Sequence, residues 1–542
     1  MRGMKDSNLS IANLLLAALV GALVALVCVQ VAGARKYRAG RDDWRKLNLV
    51  LREVSANYVD SIDYKTLNED AIVAVLAKLD PHSIYLPPKE LSDSETELAG
   101  NFEGIGIQFN VPNDTAVIIE VIPGGPSEKT GLMAGDRLLR VDTAVIAGVH
   151  FPQDSIVRRI KGPAGTKVNI LVRRGSEDIP FEITRGKIPL HSVDASFMVN
   201  DSVGYLRLSK FANTTVQECA SATLELVAAG MTELIFDVRG NTGGYFTQAI
   251  NLSNLFLPRG AGIVYVEGLH RKRESYAANG KGFLQSIGLK VLIDDSSASS
   301  SEIFAGAIQD NDRGVIIGRR SYGKGLVQEP LYFNDGSGVR LTVGRFYTPS
   351  GRCIQKPYSD DYMMDWYHRY TDGEFLVADS IKVDTTQIYK TTGGRTVYGG
   401  GGIVPDVFVP MDTTKVTQYY LKVGSKATPM RFASAWFDTH KEELSSIEDF
   451  AALQRYLDKS SLAGAFLKFA RDKDGIPLPG KSEWERTAPY LMPQVRALVG
   501  RYSKLGDNAY YHLFMDYDNV IEEALRPHAL KFENKQNDTY NE

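Results

Sequence analysis

Val291-Leu292-Ile293-Asp294-Asp295-Ser296-Ser297-Ala298-Ser299-Ser300-Ser301-Glu302-Ile303 is an apolar run that breaks into a polar turn and resumes at helical spacing through Phe304, Ala307 and Ile308. A second short apolar run follows, Val315-Ile316-Ile317, and then Gly318-Arg319-Arg320-Ser321-Tyr322-Gly323-Lys324-Gly325-Leu326-Val327-Gln328. The order strand, turn, helix, strand repeats upstream. Val203–Leu208 and Leu234–Val238 read as strands, Thr214–Ala229 and Thr247–Leu257 as helices. Such alternation predicts an α/β core with a largely parallel sheet and helices packed on it. Ligand groups in these folds gather at the carboxyl ends of the strands. The serine cluster lies at one such end, and Arg239-Gly240-Asn241-Thr242-Gly243-Gly244 at another.

Ser299-Ser300-Ser301-Glu302 fits a capping box, which needs no chemistry. A helix N-terminus also offers backbone N–H groups to an oxyanion, so placement alone does not separate the two uses. The lysine separates them. A serine hydroxyl needs an adjacent base, and a lysine amine serves when burial or a neighbouring positive charge keeps it neutral. The intervening helix and strand return Lys324 to the same sheet edge as the serines, with Gln328 four residues on to orient the amine. Other chemistries find less support. Gly318-x-x-x-x-Gly323-Lys324 continues with Gly325 where a phosphate-binding loop needs Ser or Thr. There is no Gly-x-Ser-x-Gly elbow and no His-Glu-x-x-His, and none of the eight histidines has a triad context.

Upstream, the pattern from Asp43 to Leu98 is helical, broken by Asp80-Pro81-His82-Ser83-Ile84-Tyr85-Leu86-Pro87-Pro88, in which His82 reads as a local hydrogen-bonding residue. From Gly100 to Gly186 short strands alternate with turns: Gly104-Ile105-Gly106-Ile107-Gln108-Phe109, Ala116–Val121, Lys167–Val172 and Ile179–Thr184. With Gly131-Leu132 and Gly135-Asp136-Arg137-Leu138-Leu139-Arg140-Val141-Asp142, this order resembles a PDZ domain. In that module the backbone of Gly104-Ile105-Gly106-Ile107 would take a C-terminal carboxylate while the tail adds as a strand. Helical spacing returns from Thr413 to Leu525, and the tail is polar.

The 542 residues predict two to four domains, and a net charge of −3 gives no reason to expect nucleic acid. Nothing calls for a cofactor or a metal: the three cysteines show no metal-ligand spacing, and with Cys28 in an apolar segment they leave at most one disulfide, Cys219–Cys353. Ile11 to Ala34 is long enough to span a bilayer, which takes about 20 residues. Ala32-Gly33-Ala34 also resembles a cleavage site; length favours an uncleaved anchor. The basic residues from Arg35 to Lys46 argue, by the positive-inside rule, against export of the bulk of the chain.

Three segments then stand in a telling order: Asp237-Val238-Arg239-Gly240-Asn241-Thr242-Gly243-Gly244, Ser297-Ala298-Ser299-Ser300-Ser301-Glu302-Ile303 and Tyr322-Gly323-Lys324-Gly325-x-Val327-Gln328. They resemble the signature of the C-terminal processing peptidases, or tail-specific proteases, as do Asp80-Pro81-His82-Ser83 and Gly399-Gly400-Gly401-Gly402-Ile403. The resemblance runs from about residue 45 to about 410. It implies a crotonase-like α/β Ser/Lys endopeptidase with an inserted PDZ-like β-rich domain and flanking helical regions. It places the nucleophile on Ser299, the base on Lys324, the orienting amide on Gln328, and the oxyanion hole on Gly243, Gly244 and Ser300. It implies polypeptide substrates with exposed C-termini and action outside the cytoplasmic membrane, against the charge flanks. The domains expected are 1–34 anchor or signal, 35–98 helical, 99–187 PDZ-like, 188–410 protease core and 411–542 helical. The last is longer than the family plan requires and has three candidate jobs: docking the PDZ module, oligomerisation or binding an adaptor. Ser300 stands where a small apolar residue is usual, so the sequence leaves open which serine attacks. A non-catalytic tail-binding scaffold is the alternative reading, and acyl transfer on a small molecule a third.

Overall fold

The structure is a computed structural model that describes residues 45–530 apart from 112–113, 123, 360, 414–415 and 529. The apolar run 11–34 lies outside the described residues; among those described, no helix is long and apolar enough to cross a membrane. The chain divides into two compact units, 1–79 and 80–542. In the first, residues 45–57 are helical, and Tyr64–Leu76 forms a second helix whose start is capped by Asp63, accepting from the amides of Lys65 and Thr66.

In the second unit the predicted helical break holds more structure than the prolines suggest. Ile84–Leu86 is a strand, paired antiparallel with Gly338-Val339-Arg340, and Pro88 opens the helix Pro88–Ala99. Proline suits a first helical turn because the amide it lacks would have no partner there.

A ribbon of two antiparallel strands, Asn101–Gly104 with Gly186–Pro189, carries the chain into and out of the β-rich module. Five of its strands run in the order Ile107–Asn110, Ala116–Val121, Arg137–Val141, Lys167–Arg174, Glu177–Thr184. Val168, Ile170 and Val172 alternate inward onto Ile118, Leu138 and Ile156, as a sheet covered on one face requires. Ile107–Asn110 is an edge strand and follows the glycine loop directly.

The central sheet has the order Val193–Met198, Val203–Leu208, Glu233–Asp237, Gly288–Ile293, Val315–Gly318, Val407–Phe408. Its first pair is antiparallel and the rest parallel. Leu234, Phe236, Val291 and Ile316 face the helices Thr215–Ala228, Phe246–Phe256 and Ser300–Asp310. Ile235, Leu292 and Ile317 face the other way, onto Val520, Ile521 and Ala524 of the helix Asn519–Leu525. Burial on both faces is why these strands are continuously apolar rather than alternating. The region after 410 thus covers one face of the sheet.

A second sheet joins Ile84–Leu86, Gly338–Tyr347, Gly262–Gly268 and Arg271–Ala277, with Leu326–Tyr332 also paired to Gly338–Tyr347. The C-terminal helices pack around Phe432, Phe437, Phe466 and Leu491. They reach the β-rich module through an Arg137–Asp438 ion pair and through Phe437, which lies against Gly135. They reach the sheet through Asn508, whose Oδ1 accepts from the Ser196 amide at 2.8 Å. Cys219 and Cys353 are both free thiols, so the one disulfide the sequence allowed is not formed.

Candidate active site

The turn after Gly288–Ile293 decides the fate of each serine. Ser297 Oγ donates to the Val238 carbonyl at 2.8 Å, Ser301 Oγ to the Asn241 carbonyl at 2.9 Å, and Ser300 Oγ to the Gly244 carbonyl at 3.0 Å. Three hydroxyls thereby stitch this turn to the neighbouring glycine loop. Ser299 Oγ donates to no acceptor among the described residues; its amide is bonded to Glu302, and its carbonyl accepts from the amides of Glu302 and Ile303. Its backbone sits at φ 54°, ψ −112°, a conformation that costs a non-glycine residue on the order of 1–3 kcal/mol.

Glu302 holds that strained turn. Its carboxylate is fully buried and takes four donors: the Ser299 amide at 2.8 Å, the Lys324 amide at 2.9 Å, the Gly323 amide at 2.7 Å and the Ser321 hydroxyl at 2.5 Å. Burial pushes this carboxyl up from its ordinary value, and the four donors offset only part of that rise. The capping box read from sequence accounts for one of these bonds. The other three reach 19 to 22 residues along the chain and bring the lysine loop against the serine turn.

Burial, and after it the charge of Arg340, lower the Lys324 amine below its ordinary pKa, against the opposite pull of Glu302 and Asp80. Gln328 does not spend its amide nitrogen on the lysine: Nε2 donates to the His82 carbonyl at 2.5 Å. His82 is more than a local turn residue. Its amide donates to Asp80 at 2.8 Å and its Nε2 lies 2.7 Å from the Tyr362 hydroxyl. Burial and the nearby Lys324 charge push its imidazole down to about 4, so it is neutral at physiological pH.

The glycine loop supplies the facing wall. Asn241 is buried; its Nδ2 donates to the Leu208 carbonyl, and its Oδ1 accepts from the Gly243 amide at 2.9 Å. The Gly243 amide is therefore committed to the turn, whereas those of Gly244 and Ser300 make no hydrogen bond among the described residues. Gly243 is at φ +103°, and a Cβ there would lie 2.8 Å from Ser299 Cβ. Behind the loop, Asp237 accepts from Tyr205, Arg207 and Arg239, and Arg239 also pairs with Asp518 at 2.7 Å. Against the upward push of complete burial, Arg207 and Arg239 hold the Asp237 carboxyl well below the usual range.

Ser299, Ser300, Lys324, Gln328, Gly243 and Gly244 all line one cavity of about 810 Å³. The four residues Gly104, Ile105, Gly106 and Ile107 are elsewhere, at the head of the module's edge strand. All four are buried there, and the amides of Ile105 and Gly106 have no acceptor among the described residues. No group of His, Cys, Asp and Glu among the described residues is arranged to hold a metal ion.

Known proteins resemble this chain. Residues 202–363 match the model of peptidase family S41, and residues 104–184 that of the PDZ domain. The carboxy-terminal processing protease CtpA of Bacillus subtilis is 32% identical over 328 residues, which cover 60% of this chain and 70% of that one. The chain belongs to the carboxy-terminal processing proteases. It is thus a serine peptidase with a PDZ domain. A second member of the carboxy-terminal processing proteases, from Synechocystis, is 34% identical over 53% of this chain and 68% of its own. Among solved structures, the photosystem II D1 C-terminal processing protease is 30% identical, covering 57% of this chain and 83% of that one at a TM-score of 0.35.

Sequence reasoning alone did not find Glu302 as a clamp, Asn241 as the acceptor for Gly243, or Arg340 beside the lysine. The capping-box pattern was a signal for the first. The other two carry no local pattern.

Proposed function

We propose that this protease cuts exported polypeptides near their C-termini by a Ser/Lys mechanism, with the PDZ domain taking the substrate tail. One observation carries the reading: Ser299, unlike Ser297, Ser300 and Ser301, donates its hydroxyl to no acceptor among the described residues, and it shares a cavity with a lysine held below its ordinary pKa. In this mechanism Ser299 Oγ attacks the scissile carbonyl and Lys324 takes its proton. Lys324 then returns that proton to the leaving amine. The amides of Gly244 and Ser300 hold the oxyanion, since that of Gly243 is engaged by Asn241. Gln328 keeps Oε1 for the lysine while its Nε2 is anchored to His82.

The substrate tail adds to the edge strand Ile107–Asn110, its carboxylate on the free amides of Ile105 and Gly106. The strand–helix units support a crotonase-like reading of the core. The apolar run 11–34 supports a membrane tether with the protease outside the cytoplasmic membrane. Cleavage of an unfolded polypeptide with an apolar C-terminus, by folded Ser299→Ala, Ser300→Ala, Ser301→Ala and Lys324→Ala proteins, tests the mechanism. Ser299→Ala and Lys324→Ala lose cleavage and the other two retain it; full activity in either of the first pair sinks the assignment.

A further inference from the structure

The cavity that holds Ser299 and Lys324 is also lined by two cations that the mechanism leaves without a task, Lys210 and Arg340, and Arg340 lies on the strand paired with that of Gln328. Arg340 lies on the long strand Gly338–Tyr347, opposite Pro330 and two residues from the pair Gln328–Thr342. Directly opposed residues, and those two apart, share a face of a sheet, so Arg340 and Gln328 are on one side of it. Arg340 Nη2 donates to Ser94 Oγ at 2.7 Å, and both residues line the cavity.

Other arginines around the site are neutralised. Arg239 pairs with Asp237, Arg319 with Asp295, and Arg320 with Glu374. Arg340 forms no ion pair among the described residues. Glu95, a carboxylate on the same cavity, forms no ion pair with it.

The remaining groups around the lysine are already satisfied. Glu302 has its four donors. Asp80 accepts from the His82 and Ser83 amides, the Ser83 hydroxyl and Thr342, and His82 is neutral. Donors that saturate a carboxylate reduce its pull on a nearby ammonium, whereas the Arg340 charge faces the cavity with one neutral partner.

We propose that Arg340 is a positioning residue for the base, its guanidinium opposing a proton on the Lys324 amine across their shared cavity. The inference rests on Lys324 being that base. It agrees with Arg340 being the second cause, after burial, of the depressed lysine.

The test is kcat/KM against pH on an unstructured peptide, which reports ionisation in the free enzyme. Arg340→Met moves the acid limb to higher pH by about half a unit to one unit, a roughly three- to tenfold loss below the limb that vanishes above it. Arg340→Lys, with the charge kept, restores the wild-type limb, and circular dichroism checks the fold of each variant. An unmoved limb overturns the proposal, whether the rate is unchanged or lost equally at every pH. So does a rise in KM alone, which marks a contact with a substrate carboxylate instead. If Lys324→Ala cleaves normally, the assignment of the base fails first, and that result is distinct from any outcome with Arg340.

Discussion

Replacing Glu302 by glutamine removes one acceptor oxygen from a fully buried carboxylate that serves four donors. The side chain has two ways to settle. With its NH2 at the Oε2 position, the amides of Ser299 and Lys324 both lose their acceptor. With NH2 at Oε1, the Ser321 hydroxyl can turn, although it already accepts from the Ile403 amide, and only the Gly323 amide is orphaned. The second is cheaper. An orphaned buried N–H costs about 1–3 kcal/mol, and each surviving bond drops from charged to neutral strength, about 1 kcal/mol. Relief from burying a charge returns part of this, leaving a net loss of roughly 2–4 kcal/mol. Ser299 then relaxes from φ 54°, and on the mechanism proposed above displacement of the nucleophile by about 1 Å is worth on the order of 10²-fold in rate. Calorimetric unfolding and kcat on one peptide read both effects. A Glu302→Gln protein that melts with the wild type and keeps its kcat would refute the clamp.

Other perturbations separate neighbouring claims. Gly244→Ala sets a Cβ 2.2 Å from the Phe211 carbonyl oxygen at φ +147°, so cleavage falls more than about tenfold and stability by roughly 2–4 kcal/mol, read by peptide turnover and thermal melts. Asp518 both caps the helix Asn519–Leu525 and pairs with Arg239. Asparagine keeps the cap and loses the charge, so Asp518→Asn is destabilised by about 1–2 kcal/mol and Asp518→Ala by about 1 kcal/mol more; equal urea midpoints for the two would remove the cap from the account. The folded protein refuses His82 a proton until about pH 4, while the unfolded chain takes one near 6.5. The stability that His82 contributes is therefore lost as pH falls from about 6.5 to about 4, and its share of the loss is complete below that; His82→Asn reduces the slope in that window in pH-dependent melts.

The strand–helix alternation, the PDZ-like order of turns and the Ser/Lys spacing were legible because each is a local pattern. Periodicity reports which face of an element is apolar, and a glycine at a tight turn reports its own backbone need. Two helices, read as Thr214–Ala229 and Thr247–Leu257, run Thr215–Ala228 and Phe246–Phe256. The strand hairpin Gly262–Gly268 with Arg271–Ala277 was not read, because Arg271-Lys272-Arg273-Glu274 has no apolar face to report. Nor did the region after 410 reveal its task. Its helices show where they are apolar and not what they cover, and Ile521 meets Ile235 only across hundreds of residues.

By itself the sequence determined that a serine turn and a lysine loop sit one strand–helix unit apart at the same edge of a sheet. Which of Ser299, Ser300 and Ser301 keeps a free hydroxyl was decided only in three dimensions. The carbonyls that engage Ser300 and Ser301 come from Gly244 and Asn241, on a loop almost sixty residues away. A hydroxyl on one short turn is chemically the same as its neighbours until distant backbone acceptors claim all but one.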